Sequence, residues 1–409
     1  MPRRREVLKA LAGVGAVSLG GSLPECLSRA VAAPGAAAGG DGRVLVLVRL
    51  AGGNDGLNTV VPFTDPLYAK NRPGVGLNRG SLLKLNGSLG FHPAMTGLKG
   101  LFDDGRLSVV QGIGYPNPNR SHFRSMDIWE SAQPQAETFF EGWLGRVIDR
   151  TQFPDNPTPA MALGLDQLPL ALRGAGVSVP VIKDPAQLKL RPGPAVEARG
   201  RAVRDVIRNL AVQTSGGGPQ ASFVRNLARS AIDVSRRIGD VLTREGETGL
   251  PATGLGRRLE AVVRLIEAGL SSRIYFVSLD GFDTHADQQG AHAALLRELS
   301  DAVAAFYRRL SKSKIADGVL LATYSEFGRR VKENGSLGTD HGSASQLFVV
   351  TPPGRGGIVG AHPSLSNLDD GDLKHHTDFR RVYAMLLERW LKIPAVPAVG
   401  KGFRPLEIV

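Results

Sequence analysis

The chain has 409 residues, 42% of them hydrophobic and 22% charged, which is ordinary for a soluble globular protein and long enough for one large domain. The formal net charge is +12, but the Lys and Arg residues are scattered and no aromatic residues are interleaved with dense basic runs. Nucleic-acid binding is therefore not expected.

The first 33 residues have the pattern of an export signal. Arginines at positions 3–5 precede Val7, Leu8 and Lys9, an apolar run rich in Gly and Ala follows, and small residues end the segment at Ala33. Arg-Arg-x-apolar-Leu-Lys is typical of twin-arginine signals, which export folded proteins. We predict a signal peptide over 1–33, the twin-arginine export machinery as a partner, and a mature protein in the periplasm or outside the cell. An uncleaved amphipathic anchor is the alternative.

The mature chain is predicted to begin with a flexible linker over residues 34–42 and to continue as a single domain over 43–409. The only cysteine, Cys26, lies in the signal, so no disulfide is expected. No segment of the mature chain is apolar enough over sufficient length to span a membrane.

The domain opens with a Val- and Leu-rich run, Arg43–Leu50, which predicts a strand buried on both faces. Asp55 follows it in a glycine-rich turn, where it is either a turn residue or a ligand. Phe91–Phe102 has helical periodicity, and Leu107–Gly112 predicts the next strand.

Ser121 then falls where a helix should begin, between Arg120 and His122. A serine in this position is either an N-cap or a nucleophile, because the free N–H groups and the helix dipole favour an anion beside it. The neighbouring Arg120 and His122 make the loop rich in side chains that bind anions. The residues alone leave both roles open.

The middle of the chain is the least informative part, and its helical periodicity predicts a helical insertion or cap around residues 190–270. Ile274–Leu279 predicts another buried strand, with Asp283 and His285 in the loop after it. Two such residues can reach one metal ion or can bond to each other. A long helix, roughly Gly290–Leu310, follows.

Two apolar runs near the C-terminus, Val319–Leu321 and Leu347–Val350, flank a polar loop. That loop contains Glu326, Asp340 and His341, in the position typical of functional groups beyond strand ends in an open α/β sheet. We predict that three loops converge on one site. They follow the strands at Arg43–Leu50, Ile274–Leu279 and Val319–Leu321. Oxygen and nitrogen ligands with a serine nearby fit metal-assisted hydrolysis of a phosphate or sulfate ester.

Several long motifs resemble a known family of exported bacterial proteins, domain-of-unknown-function family 1501. They are AGGNDGLNTVVPFTDPLY, PNPNRSHFRSMDIWE, LDGFDTHADQ, YSEFGRR, GTDHG and HTDFRRVYAMLLERW, in this order over the mature chain. The family resembles a remote branch of the alkaline phosphatase and sulfatase superfamily. This resemblance implies a three-layer α/β/α sandwich with a mostly parallel central sheet, and one or two divalent metal ions (Zn, Mn or Ca) at the strand ends.

By position, the resemblance implies that Ser121 is the nucleophile and that Asp55, Asp283, His285, Glu326 and His341 are metal ligands. From the residues themselves we add Arg120 and His122, beside Ser121, as catalytic residues, and Asp340, beside His341, as a further metal ligand. Two departures bear on this set. Phe327 stands where the superfamily usually has a second histidine ligand, and Asp280 competes with Asp283 because neither has the usual spacing to the histidine.

The resulting hypothesis is an exported metal-dependent hydrolase of sulfate or phosphate esters, with anionic or sulfated polysaccharide as a candidate partner. The alternative is a non-catalytic protein of the same superfamily that binds anionic glycans or an envelope partner through the same cleft.

Overall fold

The computed structural model describes residues 42–149, 158–174, 179–183, 238–242 and 249–409. The predicted signal peptide lies outside these residues, as does all but the last residue of the predicted linker. Most of the predicted insertion around 190–270 also lies outside them. Its last part contains the helix Gly254–Glu267, which packs on one face of the central sheet, while the insertion or cap itself stays a prediction.

The described strands, in chain order, form one large sheet and two small ones. They are β1 Val44–Ala51, β2 Val60–Val61, β3 Leu83–Lys84, β4 Gly90–Phe91, β5 Leu107–Gly114, β6 Ala160–Leu163, β7 Val181–Ile182, β8 Ile274–Asp280, β9 Val319–Tyr324, β10 Ser345–Val350, β11 Gly357–Val359, β12 Leu368–Asp369, β13 Asp372–Leu373 and β14 Thr377–Asp378.

The described helices include one long element and several short ones. They are α1 Gly56–Thr59, α2 Pro66–Asn71, α3 Thr96–Asp103, α4 His122–Ser131, α5 Trp143–Asp149, α6 Gly254–Glu267, α7 Gln288–Lys312, α8 Phe379–Ala384 and α9 Val396–Val399, with a π-helical stretch, Met385–Leu391, directly after α8.

The large sheet has the strand order β11-β5-β10-β9-β1-β8-β6-β7, and β14 also pairs with β5. Strand β1 lies parallel between β8 and β9, with Leu45 opposite Ile274 and Leu320. Strand β10 runs antiparallel to both of its neighbours, β9 and β5. The sheet is therefore mixed but mostly parallel, which confirms the predicted topology.

Two hydrophobic cores cover the two faces of this sheet. Alternate residues of β1 point to opposite faces, so Val46 packs with α3, α6 and α7 while Leu47 packs with α4, α5 and α8. The result is the predicted three-layer α/β/α sandwich.

One predicted helix is shorter than expected. Phe91 belongs to β4, where it pairs with Val60 and Leu83, and the helix begins only at Thr96. Pro93 explains the late start, because it disfavours helical geometry in the residue before it. Near the C-terminus, Asp378 caps α8 by accepting a hydrogen bond from the N–H of Arg380.

Candidate functional site

The candidate site lies at the carboxyl ends of β1, β8 and β9. Because these strands are parallel neighbours, the loops that follow them meet at one edge of the sheet. The Gly52 N–H donates to Glu326 Oε1 at 2.8 Å, which joins the loops after β1 and β9. A bridge between Arg329 and His341 closes the long loop after β9 on itself.

Three histidines have one ring nitrogen bonded to a group that can only accept a hydrogen bond. His122 Nδ1 lies 2.8 Å from Glu326 Oε1, His285 Nδ1 lies 3.1 Å from Asp340 Oδ1, and His341 Nδ1 lies 2.7 Å from the carbonyl oxygen of Arg120. Each Nδ1 must therefore carry the proton in these bonds, so each neutral ring presents an unprotonated Nε2.

The three Nε2 atoms converge on one carboxylate oxygen, Asp283 Oδ1. Their distances from it are 3.3 Å for His122, 3.0 Å for His285 and 3.1 Å for His341. His285 Nε2 also lies 2.8 Å from His341 Nε2. One ligand atom each from His122, Asp283 and His341 lie within 4.8 Å of one another.

This arrangement fits a divalent cation better than it fits hydrogen bonding alone. With all three Nδ1 atoms protonated, lone pairs of the Nε2 atoms and of Asp283 face each other, and His122 Nε2 is buried with no hydrogen-bond partner among the described residues. Metal-binding histidines commonly donate their other N–H to a carboxylate or a backbone carbonyl, as these three do. Imidazole nitrogens suit Zn, whereas Ca is held by oxygen ligands.

Arg329 lies behind this cluster and is almost completely buried. It donates to Asp283 Oδ1 at 2.6 Å, to the Gly53 carbonyl at 2.7 Å and to the Thr339 carbonyl at 2.6 Å. It therefore ties all three strand-end loops to one guanidinium group. Burial alone would raise the pKa of Asp283, but the hydrogen bond and the charge of the buried Arg329 outweigh it, so the pKa is lowered and the carboxylate stays charged.

The histidines differ in their electrostatic surroundings. The hydrogen bond to Glu326 raises the pKa of His122. Burial lowers the pKa of His341, although its bonds to the Arg120 carbonyl and to Asp283 act in the opposite direction. Without a bound cation, the His122 imidazole is therefore easier to protonate than that of His341.

Phe327 forms an apolar wall of the cluster. Its ring centroid lies 4.9 Å from that of His122 and 4.7 Å from that of His341. Gly53, with φ of +73°, passes so close that a Cβ there would lie 2.2 Å from the Phe327 ring. The position that departs from the superfamily pattern is therefore filled by a packed aromatic ring.

Asp55, predicted as a metal ligand, lies outside the cluster. Its side chain is fully buried, its Oδ2 is 2.5 Å from Arg72 Nη1, and the same oxygen accepts a hydrogen bond from Gln288. Burial would raise its pKa, but Arg72 reverses the effect and lowers it. The structure therefore gives Asp55 a buried arginine as its counter-ion.

Four further residues make contacts other than those their predicted roles suggested. Two of them are His122, predicted as catalytic, whose Nε2 faces Asp283, and Asp340, predicted as a ligand, which bonds to His285. Glu326, predicted as a ligand, bonds to His122 Nδ1 instead. The His122 ring lies between Glu326 and Asp283, with its Nε2 facing Asp283. Arg120, predicted as catalytic, points its guanidinium at Asp372 and Asp370, and only its carbonyl reaches the cluster, through His341.

The remaining predicted residues lie at or beside the cluster. Ser121 is the N-cap residue of α4, but its side chain makes no capping hydrogen bond and is exposed. Asp340 holds His285 from behind, and its own pKa is lowered by hydrogen bonds from Asn334 and His285. Asp283 approaches the histidines, whereas Asp280 accepts from Ser278.

Sequence reasoning assigned no role to Arg329, Arg72 or Gln288. Arg329 lies between Glu326 and His341 in the sequence, so its place in this loop could have indicated that it belongs to the site. Arg72 and Gln288 are 17 and 233 residues from Asp55, and no local pattern indicated that they meet it.

Comparison with solved structures gives only weak overlaps. Lipoteichoic acid synthase LtaP from Listeria monocytogenes is 10% identical, with a TM-score of 0.34, over 78% of this chain and 67% of that chain. The zinc complex of the C-terminal periplasmic domain of EcEptC from Escherichia coli is 10% identical, with a TM-score of 0.33, over 76% and 72%. A magnesium-bound variant of TAB5 alkaline phosphatase is 9% identical, with a TM-score of 0.32, over 78% and 95%. Overlaps this weak carry no argument about what the chain does.

None of the helices in the described ranges is both long enough and apolar enough to cross a bilayer.

The sequence comparisons are clearer. No curated protein matches at a significant level. The model of one family, described as "Protein of unknown function (DUF1501)", matches residues 43–387, and the chain belongs to that family.

Proposed function

We propose that the protein is an exported metal-dependent hydrolase of sulfate or phosphate esters and a remote member of the alkaline phosphatase and sulfatase superfamily. The observation that carries the proposal is the convergence of three histidine Nε2 atoms on Asp283 Oδ1, while the Nδ1 atom of each ring contacts a carboxylate or carbonyl oxygen. His122, His285, His341 and Asp283 would hold one ion, for which Zn or Mn suits the donors better than Ca.

The ion would supply positive charge that polarises the ester and lowers the pKa of a nearby hydroxyl. Ser121 is the proposed nucleophile, because it adjoins His122 at the start of α4 and its hydroxyl is not used for capping. The first N–H groups of this ten-residue helix favour negative charge beside Ser121.

In the proposed reaction Ser121 Oγ bonds to phosphorus or sulfur as the ester oxygen leaves. The proton released by the serine balances the one that the leaving oxygen takes up. Water then cleaves the serine ester and restores the hydroxyl. Arg329 keeps Asp283 ionised throughout, since it is buried against that carboxylate.

Turnover of aryl phosphates and aryl sulfates by the purified protein tests the proposal. Ser121→Ala should lower kcat by at least about a hundredfold while leaving bound metal unchanged. Ser311→Ala, which removes an exposed hydroxyl from the end of α7, is the matched control and should keep full activity. Equal turnover in wild type and Ser121→Ala would contradict the proposal.

A second candidate is a non-catalytic protein that binds anionic glycans or an envelope partner through the same cleft. Two observations favour it: Arg72 occupies the carboxylate of Asp55, and Phe327 fills a position where the superfamily has a ligand. Metal that is bound without turnover of any ester, together with binding of a sulfated oligosaccharide, is the result expected of this candidate.

A further inference from the structure

A second charged cluster lies beside the candidate metal site. Arg120 and Arg330 both reach the short hairpin formed by β12 and β13. Arg120 Nη1 lies 2.9 Å from Asp370 Oδ2, and Arg330 Nη2 lies 3.5 Å from the same oxygen. Two guanidinium groups thus straddle one carboxylate oxygen, as they would straddle one oxygen of a sulfate or phosphate group.

Both arginines are chain neighbours of residues in the metal site. Arg120 precedes Ser121 and His122, and its carbonyl accepts from His341 Nδ1 at 2.7 Å. Arg330 follows Arg329, which donates to Asp283. The arginine pair is therefore joined through the backbone to the two loops that carry the candidate site.

The two acidic partners are held very differently. The Asp372 side chain is only 2% exposed, and its Oδ2 accepts from Arg120 Nε at 2.8 Å and lies 2.7 Å from Arg120 Nη2. The Asp370 side chain is 75% exposed and stands at the hairpin tip, where its backbone has a φ of +47°. Asp372 fixes Arg120 in place, whereas the exposed pair with Asp370 is of the kind that water and salt weaken.

We propose that Arg120 and Arg330 form a subsite for a second sulfate or phosphate group of a substrate that carries several, and that Asp370 occupies this subsite until the substrate displaces it. The four side chains are neutral in sum while Asp370 is in place. When it is displaced, the two arginines against Asp372 leave one net positive charge. The inference deepens the proposed function and rests on it for the identity of the ligand as substrate.

Binding to the purified full-length protein, measured by calorimetry, tests the subsite. The probes are a heparin tetrasaccharide, which carries sulfate groups, and inositol hexakisphosphate, which carries phosphate groups. Asp370→Asn should lower the Kd for at least one probe by about fivefold, the scale of one exposed ion pair. The probe that responds identifies the source of the anion.

Matched controls separate the subsite from general charge effects. Asp369→Asn removes the same charge from an exposed position of the same hairpin, where no ion pair is seen within the described residues. It should change the Kd by less than about twofold. Arg330→Gln should raise the Kd, whereas Arg355→Gln, at an exposed position after β10, should leave it unchanged.

Equal effects of Asp370→Asn and Asp369→Asn, for both probes, would overturn the inference and leave the arginines as anchors of the hairpin alone. Because the readout is binding, a failure to hydrolyse esters does not by itself overturn the subsite. Conversely, if the protein hydrolyses esters but Asp370→Asn leaves its Kd for both probes unchanged, the proposed function stands and the subsite is disproved.

Discussion

Four side chains approach a single oxygen atom, Asp283 Oδ1. Arg329 is the nearest at 2.6 Å, and the Nε2 atoms of His285, His341 and His122 follow at 3.0 Å, 3.1 Å and 3.3 Å. The arginine alone satisfies the charge of the carboxylate but leaves the imidazole lone pairs facing one another. A cation resolves that conflict, because it accepts electron pairs from the nitrogens and from the carboxylate together.

The acceptors behind the imidazoles should therefore affect metal affinity without touching the metal. Glu326→Gln keeps an oxygen that can accept from Gly52 N–H but removes the charge that orients His122 and raises its pKa. We expect metal affinity to fall by about tenfold, the lower end of the effect of such partners. Competition with a chromophoric chelator measures it.

Glu333 provides the control for this change. Glu333 lies in the same loop as Glu326, but its carboxylate accepts from the N–H groups of Gly74 and Val75 and not from a histidine. Glu333→Gln should leave metal affinity unchanged. An equal loss in both variants would show that loop stability, and not the orientation of His122, sets the affinity.

At the scale of elements, the long helix α7 supports the loop after β1 from behind. Gln288, in its first turn, donates to Asp55, and His292, one turn later, lies 3.0 Å from Asn54 Oδ1. Asn54 N–H in turn donates to Ser325 Oγ, which connects the loops after β1 and β9. The position of the candidate site thus depends on polar groups that are buried between a helix and two strand ends.

His292 should make the fold sensitive to acid. Burial lowers its pKa from 6.5 to about 4. The folded protein keeps the ring neutral, while the unfolded chain takes up a proton below pH 6.5. The neutral His292 ring therefore contributes fully to the free energy of unfolding above pH 6.5, and this contribution declines as the pH falls towards 4. At pH 5 the free energy of unfolding should be lower by about 2 kcal/mol for this reason.

Urea unfolding at pH 7 and pH 5 measures this effect. His292→Gln keeps a donor for Asn54 but cannot titrate, so its loss of stability between the two pH values should be smaller than that of wild type by about 2 kcal/mol. An identical loss in wild type and variant would mean that His292 takes up its proton in the folded state too.

For the whole molecule, the sheet was predictable because strands such as β1, β5 and β8 are short apolar runs that end at, or just before, Gly or Asp. The runs at Arg43–Leu50 and Ile274–Leu279 matched β1 and β8 within one or two residues. That their loops meet also followed, since parallel neighbours end at the same edge. The proline that delays α3 was visible in the sequence, but the pairing of Phe91 in a small sheet was not.

The candidate site was predictable as a neighbourhood but not as a set of roles. Asp283, His285 and His341 were named as ligands, and the structure brings them together. Whether a carboxylate binds a metal, holds a histidine or pairs with an arginine depends on contacts between distant parts of the chain. The sequence did not reveal that Asp55 pairs with Arg72 or that Glu326 pairs with His122, since both contacts join distant parts of the chain.

The metal content of the purified protein tests the central claim most directly. After growth with added Zn and Mn, mass spectrometry should find about one equivalent of bound metal in the wild type and almost none in His341→Ala. His362→Ala should keep the metal, because within the described residues the lost ring bonds only to the adjacent Pro363 carbonyl. A wild-type protein without metal, or a His341→Ala variant that retains it, would contradict the account.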